Sequence, residues 1–331
     1  MIRRFLEDAV FSDSMGRQMR FITGPRQSGK TTMAKEKLSA ENCSEFYYNW
    51  DSQQVKRRYR SDGDFLAPEL IKKKGRKVWV CFDEIHKMPK WKNIAKDFFD
   101  SHENKAVFII TGSARLDVFR KTGDSLAGRY FPFRLNPLML AEISGSAARD
   151  VMDTGTAAGY IEKRIRNSKS ASSLMEQIFR FSGFPEPCLK KDKVFASKWH
   201  DNYFERVIKE DIRELSSIHQ LEKISDMISL IPARIGSPLS VNSLKEDLEL
   251  NHATVKNYIK YLKLTYVLFE MEPYTKKINR PVKKEKKVYL YNIAVVKDEG
   301  PKFENYAELE LKMLIDLWLS LIHISEPTRP Y

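Results

Sequence analysis

Cysteine is scarce in this chain. Its 331 residues hold only Cys43, Cys81 and Cys188, far apart and without a C-x-x-C or Cys/His spacing. Reduced thiols, no zinc site and a cytoplasmic setting are therefore expected. Long apolar runs are missing too. Met1 to Asp8 lacks the apolar stretch of a secretory signal, and no run of about 18 apolar residues occurs, so neither a signal peptide nor a membrane-spanning helix is expected. No internal repeat and no long low-complexity tract is present. Negative charge is the scarcer sign: 57 Lys and Arg stand against 44 Asp and Glu, a net charge of +13. That balance either suggests an anionic partner, nucleic acid first, or serves solubility alone. With 42% hydrophobic residues the chain can bury a core, and its length suits about two or three domains.

What is present is alternation. Apolar runs at Arg20–Thr23, Phe46–Trp50, Lys77–Phe82 and Val107–Thr111 are separated by amphipathic segments such as Asp64–Lys74 and Trp91–His102. This predicts an α/β fold over 1–144, a parallel sheet flanked by helices. The small, polar residues 145–157 read as a linker. Residues 158–235 read as a helical region with Phe179, Phe181, Phe184, Trp199 and Tyr203 as packing anchors. Over 236–291, Ser240–Leu248 reads as a short helix and Leu250–Ala253 as a turn. Thr254 reads as the cap of a second helix, whose Val255, Tyr258, Ile259 and Leu262 share one face. Two extended runs follow, Tyr266–Met271 and Lys287–Tyr291, around a basic loop, Lys276–Lys287, with seven positive charges and one negative. Helix–turn–helix followed by a two-stranded ribbon is the order of a winged helix.

The chemistry is concentrated in one stretch. Gly24-Pro25-Arg26-Gln27-Ser28-Gly29-Lys30-Thr31 reads G-x-x-x-x-G-K-T between an apolar run and a helix-like run that opens with Thr31 and Thr32. Its glycines let backbone N–H groups wrap an anion at a helix N-terminus. Lys30 supplies a point charge to the β- and γ-phosphates, and the Thr31 hydroxyl is placed for Mg²⁺. Val78–Glu84 is an apolar strand ending in two carboxylates: Asp83 suits Mg²⁺ and Glu84 suits activation of the attacking water. A further strand ends at Thr111-Gly112-Ser113, where Ser113 or Thr111 suits a sensor of the γ-phosphate. Of the arginines that follow, Arg115, Arg120 and Arg129, the last is the preferred arginine finger, on its own or a neighbouring subunit's nucleotide. Arg26 either touches phosphate or faces solvent, and His86 either joins the site or lies on the surface. The guanine-selective N-K-x-D signature is absent, which favours ATP, and no lid arginines of a small-molecule kinase are assignable. In the winged-helix segment Lys256, Asn257 and Lys260 face outward on the recognition helix. Lys283, Lys284, Lys286 and Lys287 of the wing are in reach of duplex DNA phosphates. The alternative is a winged helix that binds protein.

The set GPRQSGKTT (24–32), VCFDEIHKM (80–88), ITGSARLD (110–117), LAGRYFPFRLNPLMLAEI (126–143) and SGFPEP (182–187) resembles prokaryotic AAA-type P-loop ATPases with a C-terminal domain of unknown function, over about 1–318. That resemblance implies an ATPase core, helices, a winged helix, and from 292 the start of a nuclease-like domain with Glu304 as its first acidic residue. Its later acidic positions are not found. Leu319–Arg329 matches the conceptual translation of a transposase adapter used in sequencing libraries, so 319–331 is read as an artefact and the natural protein as longer. The expected function is a Mg²⁺-dependent ATPase acting on DNA or a protein partner, with a homo-oligomer open. The alternatives are a nucleotide-gated DNA-binding regulator with slow or no hydrolysis, and a pure interaction scaffold.

Overall fold

The computed structural model describes residues 2–73, 77–112, 126–146, 162, 171–213, 220–272 and 286–325. The chain divides into two compact units. The first holds Arg3–Gly24, Ser28–Asn136 and Asp316–Tyr331; the second holds Met1–Ile2, Pro25–Gln27 and Pro137–Ile315.

The first unit is built on a sheet of β1 (Met19–Thr23), β2 (Tyr47–Asn49), β3 (Val78–Asp83), β4 (Ala106–Thr111) and β5 (Tyr130–Arg134), in the order β2-β3-β4-β1-β5. Every pairing is parallel. Its helices include α1 (Lys30–Ala40), α2 (Gln53–Ser61) and α3 (Trp91–His102). β1 and β4 are buried along their whole length, which is why their sequences run apolar instead of alternating. Beside β3, Phe82 meets Phe98 at 5.0 Å and Trp50 at 5.4 Å between ring centroids, in edge-on geometry. From β1 the chain passes to β2 at one edge of the sheet, while β5 lies on the other side of β1. The carboxyl end of β1 is therefore at a topological switch point, where α/β sheets bind ligands.

β5 is a strand that the sequence pattern does not announce, because Pro132 sits in its middle. It lies at the sheet edge, where a missing N–H costs no ladder bond.

The second unit is mostly helical: α4 (Ala171–Phe181), α5 (Lys193–Arg206) running into a π-helical turn (Val207–Ile212), α6 (Leu221–Leu230), α7 (Val241–Leu248) and α8 (His252–Leu264). An antiparallel ribbon, β6 (Leu268–Met271) and β7 (Lys287–Leu290), follows α8, and then a helix, Glu299–Ser325, of which the residues up to Ile315 belong to this unit. Of the expected anchors, Phe181, Phe184, Trp199 and Tyr203 are buried; Phe179 is half-buried, 5.4 Å from the Tyr306 ring. α7, α8 and the ribbon follow the winged-helix order, with one correction. The cap of α8 is Asn251, whose Oδ1 accepts from Thr254 N at 2.8 Å, so the helix starts at His252 and the turn is shorter than expected. Glu304 accepts from Lys287 Nζ at 2.8 Å and from the Tyr289 hydroxyl at 2.7 Å, so it is bound to the ribbon.

Candidate nucleotide site

The G-x-x-x-x-G-K-T segment leaves the carboxyl end of β1 and enters α1 at Lys30. Three of its residues hold positive φ: Gly24 at 140°, Gln27 at 60° and Gly29 at 99°. Gly24 has no alternative. A Cβ there would stand 2.2 Å from the Leu135 carbonyl oxygen. Gly29 occupies the N-cap of α1 without a side-chain cap, so the first N–H groups of the helix have no side chain to satisfy them. Ser28 is fully buried and its Oγ has no hydrogen-bond partner among the described residues. An uncapped helix N-terminus beside a buried, unsatisfied hydroxyl fits a phosphate. Lys30 is 7% exposed and donates from Nζ to Gly24 O at 3.1 Å.

β4 lies between β1 and β3, yet Asp83 at the end of β3 still reaches α1. Its Oδ2 accepts from Thr31 Oγ1 at 2.9 Å and from the Tyr47 hydroxyl at 2.6 Å, and its Oδ1 accepts from Thr111 Oγ1. Thr111 thus meets the aspartate. Burial first, then the bond to Asp83, pushes the Tyr47 phenol pKa up, so it stays a donor. A hydroxyl and a carboxylate are hard oxygen ligands of the kind Mg²⁺ takes, so Thr31 and Asp83 fit that ion. Glu84 follows in the left-handed region, φ 58° and ψ 27°, a strained setting for a non-glycine residue and one that gathers at functional positions. Its N–H donates to Thr111 O at 3.0 Å. His86 is not on the surface: it is buried, with Nε2 3.3 Å from Glu84 Oε2.

Residues 16–144 match the family model described as AAA domain, and residues 172–298 match that of a domain of unknown function, DUF8612. Residues 16–144 thus carry an AAA-type P-loop domain. An uncharacterised protein of Mycobacterium tuberculosis is 22% identical to it over 81% of this chain and 53% of its own length. One of Methanocaldococcus jannaschii is 23% identical over 82% of this chain and 60% of its own length. The chain spans about half the length of the curated relatives it matches first. Among solved structures it resembles the Aeropyrum pernix ORC1 protein in complex with DNA, at 12% identity over 93% of each chain with a TM-score of 0.35. At that score the likeness transfers no property of that protein.

Arg129 is not brought to the chain's own phosphate loop. Its backbone pairs with Met19 at the opposite end of β1, and its guanidinium donates to Asp100 at 2.7 and 3.1 Å. As a finger on its own nucleotide it is therefore corrected. The Asp100 bond raises the Arg129 pKa and lowers that of Asp100. Ser113, Arg115 and Arg120 lie outside the described residues, as do Lys276, Lys277, Lys283 and Lys284. Arg26 belongs to the second unit with its partners: Nε donates to Asp211 Oδ2 at 3.1 Å and Nη2 to Oδ1 at 3.2 Å, with Glu210 at 2.8 Å. All three groups meet at the π-helical turn, and nothing in the sequence pairs residues so far apart. Lys256, Asn257 and Lys260 are exposed on one face of α8, a helix without acidic residues. Among the described residues, neither Lys256 nor Lys260 pairs with an acid. Lys286 and Lys287 differ: Glu272 holds the first at 2.6 Å and Glu304 the second at 2.8 Å, so their charge is largely answered within the protein. The bond to Glu272 also raises the Lys286 pKa.

Proposed function

We propose that this protein binds ATP with Mg²⁺ and hydrolyses it to ADP and phosphate, and that the nucleotide state is coupled to duplex DNA in a cytoplasmic setting. One arrangement carries the reading: the Thr31 hydroxyl 2.9 Å from buried Asp83 at an uncapped helix N-terminus, with Glu84 next in the chain. Lys30 and the N–H groups of the loop 24–32, Pro25 excepted, bind phosphate. Thr31 and Asp83 would hold Mg²⁺, which supplies neutralisation of phosphate charge when bound. Glu84 orients the attacking water and takes its proton. The unpaired cationic face of α8, Lys256 and Lys260, supports DNA over a protein partner. Any finger role of Arg129 falls to a second copy of the chain.

A second reading, a nucleotide-gated regulator with slow hydrolysis, is favoured by the contact of Glu84 with buried His86 at 3.3 Å. A base held by its neighbour is slow to take a proton from water.

The test separates binding from chemistry. Lys30→Ala is expected to abolish ATP binding and phosphate release. Glu84→Gln is expected to keep binding and to lose about a hundredfold or more in rate. A Lys30→Ala protein that hydrolyses ATP at the parent rate refutes the proposal, and a parent that binds ATP but turns over no faster than Glu84→Gln favours the second reading.

A further inference from the structure

Asp83 is 4% exposed, and its charge is met by three hydroxyl donors: Thr31 and Tyr47 on Oδ2, Thr111 on Oδ1. A carboxylate oxygen has two lone-pair sites. Oδ2 is thereby filled, and Oδ1 keeps one site. Two of the donors belong to recognisable motifs: Thr31 opens α1 beside the phosphate loop, and Thr111 ends β4. Tyr47 belongs to no motif. It sits on the three-residue edge strand β2, in register with Cys81, while Asn49 stands opposite Asp83. Its hydroxyl must therefore cover two strand positions, about 6 to 7 Å. A tyrosine spans that distance; a serine or threonine does not. The ring is held from the other side by Lys35 of α1, whose Nζ is 4.4 Å from the ring centroid.

Thr31 is asked to do two things, to bond Asp83 and to ligate the cation. Tyr47 has only the first task. Its bond to Oδ2 is the one that ties the carboxylate to the sheet edge whatever Thr31 is doing.

We propose that Tyr47 is a positioning residue for Mg²⁺, its hydroxyl fixing the rotation of the Asp83 carboxylate that holds the ion. The inference rests on the reading of Thr31 and Asp83 as the pair that holds Mg²⁺. Groups that orient a metal-holding carboxylate from behind change metal affinity by about 10- to 100-fold when they are removed.

Tyr47→Phe keeps the ring and its contact with Lys35 and removes one donor. The assay is binding of mant-ATP, first in EDTA and then across a Mg²⁺ titration, with a thermal melt to confirm folding. The expected result is an affinity in EDTA within about twofold of the parent and a half-saturating Mg²⁺ concentration raised about tenfold or more. Thr111→Val, which removes the donor on Oδ1, is expected to shift the same curve in the same direction. If Tyr47→Phe does not fold, Lys35→Met loosens the ring and is expected to give a smaller shift of the same sign. An unchanged Mg²⁺ curve, or one moved to lower Mg²⁺, overturns the inference. So does an equal loss in EDTA, which would make Tyr47 a structural residue only. A parent protein whose mant-ATP binding ignores Mg²⁺ overturns the Thr31–Asp83 reading itself, and the inference with it.

Discussion

Replacing Gly24 by alanine tests the phosphate loop at its tightest point. The added methyl would stand 2.2 Å from the Leu135 carbonyl oxygen and 3.0 Å from its carbon. Neither atom can swing away as a side chain would. Leu135 N donates to Thr23 O at 2.8 Å, so the carbonyl is pinned where β5 passes β1. The residue would also have to hold φ 140°, a conformation that side chains rarely adopt. Overpacking of a tight site costs about 1 to 3 kcal/mol and an unfavourable backbone conformation about 1 to 3 more, so Gly24→Ala is expected to lose about 2 to 6 kcal/mol. Relaxation must move either the loop or β5. Since the amides proposed to face the phosphate are on that loop, ATP affinity should fall about tenfold or more along with stability. Gly63 is the internal control. A Cβ there meets nothing within 4 Å, and its φ is not positive, so Gly63→Ala should be neutral or slightly stabilising. Urea unfolding and mant-ATP binding on the two variants decide it. A Gly24→Ala protein with the stability and affinity of Gly63→Ala would falsify the geometry assigned to the loop.

Two further outcomes are expected besides those of Lys30, Glu84 and Tyr47. His200 accepts from Asn292 Nδ2 at Nδ1, 2.9 Å, and its Nε2 has no partner among the described residues. Burial depresses its pKa from 6.5 to about 4. The neutral ring is the folded form, so stability is constant above about pH 6.5 and is lost as pH falls from there to about 4, where the unfolded chain takes up a proton that the folded chain does not. After allowance for partial exposure the loss is about 1 to 3 kcal/mol. His200→Gln should flatten that limb of a stability–pH curve, and an imidazole that titrates by NMR near 6.5 in the folded protein contradicts the assignment. On α8, Lys256→Glu and Lys260→Glu should each weaken duplex DNA binding and reduce its salt slope by about one, roughly alike for every sequence. Unchanged binding in the double variant points to a protein partner.

The proposed phosphate loop is legible because wrapping an anion depends on backbone shape. Only glycine permits the φ at Gly24 and Gly29, and the Lys30-Thr31 pair must follow directly, so the requirement is written in adjacent letters. The same holds for Asp83-Glu84, where strand end and carboxylates are contiguous. Apolar runs announced β1, β3 and β4, which are covered on both faces. β5 was hidden by Pro132, which is tolerated at a sheet edge and would not be in the centre. Sequence places the cap of α8 three residues late because Asn251 and Thr254 are both good capping types, and their own hydrogen bond decides which is outside the helix.

By itself, the sequence determined the shape of the proposed phosphate loop and the position of the Asp83-Glu84 pair, since both are local: a backbone that can wrap an anion, and two carboxylates at a strand end. What only the tertiary structure decided are the relations between distant segments. It seats Tyr47 on the Asp83 carboxylate, buries His86 against Glu84, joins Arg26 to Asp211, and sends Arg129 to the far end of the sheet. Those pairings follow from strand order and helix placement, and no spacing along the chain encodes them.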